Sequence, residues 1–71
     1  MTTPSVYMLR AMATFRAFRA IDERYPLPRW QEENAAAMHR VNVILADEMA
    51  DPQSQIDRLL LLIDELKKAK V

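Results

Sequence analysis

The residue types best suited to molecular recognition are concentrated in Arg24-Tyr25-Pro26-Leu27-Pro28-Arg29-Trp30. Tyr, Trp and Arg are enriched at interface hot spots, because each offers a large rigid contact area with a polar handle. Two prolines pre-order this stretch and reduce the entropy lost when a partner docks. Arg16 and Arg19 carry the basic character back along the preceding segment. The candidate protein-binding residues are therefore Arg16, Arg19, Arg24, Tyr25, Arg29 and Trp30. Each has a plainer role to be weighed against that one. Tyr25 and Trp30 can seal the end of a small helical core. Arg10, Arg16 and Arg19 can be the wet flanks of an amphipathic helix.

Catalytic chemistry has little to draw on. His39 is the single histidine, and Ser5 and Ser54 stand near expected helix starts, where a hydroxyl caps backbone N–H groups. A nucleophile needs a base and an orienting group within reach, and no such set is marked. Glu32, Glu33, Asp47 and Glu48 lack the repeated Glu-x-x-His spacing of bundle metal sites. Cysteine is absent, which removes disulfides, thiolate metal sites and cysteine nucleophiles. Glycine is absent too, and with it the dinucleotide and phosphate loops that need a residue without a Cβ. The reading is a protein that is not an enzyme, with no catalytic residue, metal site or cofactor.

Charge cancels globally at ten basic and ten acidic side chains. Locally it does not. Five arginines face only Asp22 and Glu23 in residues 1–30, whereas residues 31–66 are acidic and Lys67, Lys68 and Lys70 close the chain. No apolar run approaches the ~20 residues of a spanning helix, and no basic-then-apolar signal pattern opens the chain. A cytoplasmic location and no membrane partner are the expectations.

Prolines punctuate the elements that must position these groups. Thr3 as N-cap with Pro4 in the first turn starts a helix, and Pro26 disfavours helix at Tyr25, so a first helix spans about 4–24. At ~100° per residue its larger apolar face holds Tyr7, Met8, Ala11, Phe15, Phe18 and Tyr25, with Ala13, Ala17 and Ala20 on the other side. Pro28 opens a second helix over about 28–49, with a stripe of Trp30, Ala37, Met38, Val41, Ile44, Leu45 and Met49. Asn34 lies inside that stripe, as a register-setting amide or as a contact for a partner's polar group. Asp51-Pro52 is an N-cap followed by proline at the first helical position, and a third helix spans about 52–69. Ile56, Leu59, Ile63 and Leu66 repeat there at 3-4-3 spacing, and Leu60 and Leu62 widen the seam.

The result is one all-α domain over 1–71, a hairpin or bundle of three helices. A chain of 71 residues hides only roughly 60% of the surface its unfolded form exposes. It struggles to cover a wide seam and an aromatic face together. Homodimerisation is the simplest completion, with Ile56, Leu59, Leu60, Ile63 and Leu66 as core or dimer seam.

The leading functional expectation is a dimeric inhibitor or adaptor that binds a larger bacterial protein. Its size and simplicity are those of small phage-encoded modulators of host regulators. The first alternative is helix-turn-helix DNA binding. Gln53, Ser54, Gln55 and Arg58 would then stand near the start of a recognition helix. Acidic Asp47, Glu48, Asp51 and Asp57 oppose it, since phosphates would approach there. Phe18-Arg19-Ala20-Ile21-Asp22 through Leu27-Pro28 also resembles the opening helix-to-helix passage of MarR-type winged-helix regulators. That resemblance implies DNA binding, although the glycine-bearing wing has no counterpart here. The second alternative is membrane-surface binding through the first helix, with arginines flanking Phe15 and Phe18.

Overall fold

The computed structural model describes residues 3–68, and these form three α-helices: α1 (Val6–Arg24), α2 (Gln31–Ala46) and α3 (Pro52–Lys68). No strand occurs among the described residues. Position 69, at the expected end of the third helix, lies outside them.

Capping chemistry sets the helix ends. Ser5, rather than Thr3, caps α1: its hydroxyl accepts the Met8 N–H at 3.1 Å. The second helix is shorter at both ends than the expected 28–49. Residues 27–30 form a turn in which the Trp30 N–H donates to the Pro26 carbonyl at 3.0 Å. Pro28 therefore belongs to the turn and not to the first helical position. At the other end, Asp47 is extended and its carboxylate accepts the Met49 N–H at 3.1 Å. That bond draws the chain out of the helix after Ala46, and Met49 ends 95% exposed instead of completing the stripe. Asp51 caps α3 through the Ser54 N–H at 2.8 Å.

The helices run up, down and up. Arg10 bonds Gln55 near the starts of α1 and α3, and Ala20 meets Leu66 near their ends, so these two helices are parallel. Arg40–Glu65 and Asp47–Arg58 pairs set α2 antiparallel to α3. The α1–α3 contact is the largest of the three.

Its geometry follows from side-chain size. Ala13, Ala17 and Ala20 recur on one face of α1 and are all buried, with Ile21 beside them. Methyl side chains leave a shallow groove, which lets another helix approach closely. The aliphatic ridge of α3 fills it: Ile56, Leu59, Leu62, Ile63 and Leu66 are buried. Ala37 and Val41 of α2 close the third side, with Met38, Ile44 and Leu45 packed at the edge. The larger face of α1 is therefore divided, with Phe18 and Tyr25 half-buried against the core. Tyr7, Met8 and Phe15 point outward, on the aromatic face that a single chain of this size struggles to cover. The α3 ridge needs holes, and only the alanine side supplies them.

Two buried amides tie the crossings. Asn34 donates to the Asp22 carboxylate at 3.0 Å and to the Tyr25 carbonyl at 2.8 Å, pinning α2 to the end of α1. Gln55 accepts from Arg10 at 2.8 Å and donates to the Ile44 and Leu45 carbonyls at 3.2 Å each. Those are last-turn carbonyls of α2, of which Ile44's also accepts the Asp47 N–H at 3.5 Å.

Candidate protein-interaction surfaces

The expected binding residues separate into two places. Arg24, Tyr25, Arg29 and Trp30 stay together at the α1–α2 turn. The Arg24 guanidinium lies 4.9 Å from the Tyr25 ring centre, and that of Arg29 lies 5.1 Å from the Trp30 ring. Both distances suit cation–π attraction, which holds an arginine flat on an aromatic face. Trp30 is 36% exposed, and Tyr25 and Arg24 are half-buried. The Arg24 Nε is buried and makes no hydrogen bond among the described residues. Arg16 and Arg19 instead stand exposed along α1, near Glu23 and Lys67.

The seam residues divide as well. Ile56, Leu59, Ile63 and Leu66 are consumed by packing within the chain, while Leu60 stands off the ridge at 39% exposure. That seam is therefore spent within the chain.

Exposed apolar bulk lies instead on the outer side of α1. Tyr7, Met8, Met12 and Phe15 are 62%, 56%, 52% and 71% exposed, and they follow one another along the outer side of α1. Ala11 lies among them, with Leu9 and Leu45 at the margins. Arg10 stacks over Tyr7 at 5.3 Å and at the same time holds Gln55, so it fixes the edge of the patch. The sequence does carry a signal for this. A core stripe continues for the length of its helix, whereas this one meets Arg19 one turn beyond Phe15 and Asp22 and Glu23 two turns beyond it.

A groove of about 360 Å³ runs between α2 and α3. Val43 and Leu61 rim it, exposed, and the Arg40–Glu65 and Arg58–Asp47 pairs close its ends. The Arg58 hydrogen bond, with help from the Met49 N–H, holds the Asp47 carboxyl below the usual carboxylate range. Ser54, through its backbone N–H and hydroxyl, does the same for Asp51.

The groups expected at a recognition-helix start are occupied. Gln55 is 3% exposed, Gln53 donates to Asp57 at 3.1 Å, and Arg58 is paired with Asp47 at 2.8 Å. Among the described residues, no three His, Asp or Glu side chains converge as metal ligands, and no helix is long and apolar enough to cross a membrane. No family model, curated protein or solved structure matches the chain.

Proposed function

We propose that this chain is a non-enzymatic protein–protein interaction module, a small dimeric inhibitor or adaptor that works in the cytoplasm by occupying a surface of a larger bacterial protein. One observation carries the reading. The core closes on alanine, leucine and isoleucine, while Tyr7, Met8, Met12 and Phe15 stand outside it. A monomer exposes a contiguous apolar patch at a cost in solubility, and such patches mark interaction sites. The α1–α2 turn supplies a second surface of different chemistry, with two arginine–aromatic stacks for the larger target. Arginine and aromatic anchors of this kind dominate binding energy at protein interfaces.

Affinity capture with the tagged chain from bacterial lysate, with and without nuclease, tests the reading. The expected result is a stoichiometric protein that survives nuclease and is lost with the paired Arg29→Ala and Trp30→Ala changes. Capture of nucleic acid alone, with a salt dependence that Arg58→Ala reduces, would replace it with the DNA-binding reading.

The outward Phe15 and Met12 beside Arg16 and Arg19 also favour a second reading, attachment to a membrane surface through α1. Flotation with anionic vesicles decides it: the interaction reading expects the chain to stay in the unbound fraction.

A further inference from the structure

We infer that the outer face of α1 is where two copies of this chain pair, antiparallel, about a two-fold axis between Ala11 and Met12. This rests on the interaction reading above and names the occupant of its apolar surface.

Area comes first. Tyr7, Met8, Met12 and Phe15, at their exposures, present on the order of 450 Å². Two copies with their Ala11, Leu9 and Leu45 margins would cover about 1,000 Å², the lower bound for a specific interface. The α3 ridge cannot serve, because its largest side chains are already buried within the chain.

Symmetry comes second. A two-fold interface uses the same patch on both copies, so residue i must suit residue j and j must suit i. With the axis between Ala11 and Met12, Met8 of each copy meets Phe15 of the other. Thioether and aromatic ring are a favourable pair. Ala11, small and exposed at the centre, lets the two helices come close.

Charge chooses the direction. Arg16 and Arg19 lie just past the apolar stretch, exposed and without an ion pair among the described residues. A parallel pairing would bring each arginine against its own copy. The antiparallel one carries them to the other end of the partner's bundle. That end holds the exposed Glu48 and Asp51 of the α2–α3 connection and the negative end of α2. Opposite charges then meet at both rims.

The test is the molar mass of the full chain by light scattering and sedimentation equilibrium at tens of micromolar. Wild type should run at twice 8.3 kDa. Met8→Glu with Phe15→Glu should abolish pairing, or weaken it at least a hundredfold, while Val43→Glu with Leu61→Glu should leave it intact. Cross-linking keeps the inference open to refutation even if the charged variants unfold, because the natural chain has no cysteine to compete. Under mild oxidation Met12→Cys should form a disulfide dimer rapidly, and Leu61→Cys should not. A monomeric wild type, a dimer indifferent to Met8 and Phe15, or faster cross-linking at position 61 would each overturn the inference. A monomer that still captures a cellular protein through Phe15 would overturn it and leave the interaction reading standing. Association with vesicles through Phe15 would overturn both.

Discussion

The two sides of α1 reverse the usual relation between size and burial. Alanines at 13, 17 and 20 lie inside, while Tyr7, Met8, Met12 and Phe15 lie outside. Hydrophobic burial scales with area, so a bulky face is the first guess for a core. Packing density decides otherwise. A ridge of leucine and isoleucine on α3 needs a groove to enter, and interiors pack without voids. Interior fit and exterior stickiness are therefore separate properties written on opposite sides of one helix.

The largest effects should come from spoiling the fit. Leu59→Ala opens a cavity opposite the alanine groove and should cost about 2–5 kcal/mol in denaturant unfolding. Ala17→Leu pushes extra methylenes into a fully buried position and should cost about 1–3 kcal/mol. Little change in the midpoint for that variant would mean that the groove is not tightly filled. Asn34→Ala removes both tethers between α1 and α2, and an expected loss of about 1–2 kcal/mol would show in the same unfolding curves. Phe15→Ala belongs to the opposite class. At dilutions where pairing is negligible it should shift stability by no more than about 0.5 kcal/mol. A large loss there would collapse the distinction between the two faces.

Acid should produce the smallest change. Asp47 and Asp51 have lowered pKa values in the fold, so their stabilisation is fully present above the ordinary carboxylate pKa. It is lost as pH falls through the lowered values. Thermal melts should therefore decline at the acidic end of the range and stay level through neutrality. Both carboxylates meet solvent, so the decline should be shallow and should flatten in salt for the Asp47–Arg58 pair.

Much of the architecture is legible in the amino-acid sequence. Three helices follow from the 26–28 proline pair and Asp51-Pro52, which forbid continuation or open a helix, while Pro4 stands just before the Ser5 cap. Ile56, Leu59, Ile63 and Leu66 announce themselves by a period that only a helix shares. Asn34 is visible as an amide in an apolar stripe. The α1 orientation is not, because amphipathicity on that helix is weak and side-chain size favours the wrong side. Identifying the inner face requires the shape of its partner helix, which is tertiary information. Gln55 stays hidden for a related reason. A glutamine three residues past a proline reads as helix surface, and nothing local says that two carbonyls of α2 will end above it. The α2 ends move because Asp47 and the Pro26–Trp30 turn satisfy backbone groups locally, a competition that periodicity does not register.

Gln55 also decides how the molecule comes apart. One side chain on α3 holds a guanidinium from α1 and the last carbonyls of α2. Separating any helix from the other two at this end breaks at least one of these hydrogen bonds, at about 1 kcal/mol each, so the junction couples the three helices. Slow amide exchange should spread across residues of all three helices near Gln55, with one common rate-limiting opening. In a chain with so small an interior, that coupling favours opening of the three helix ends together over fraying of one alone.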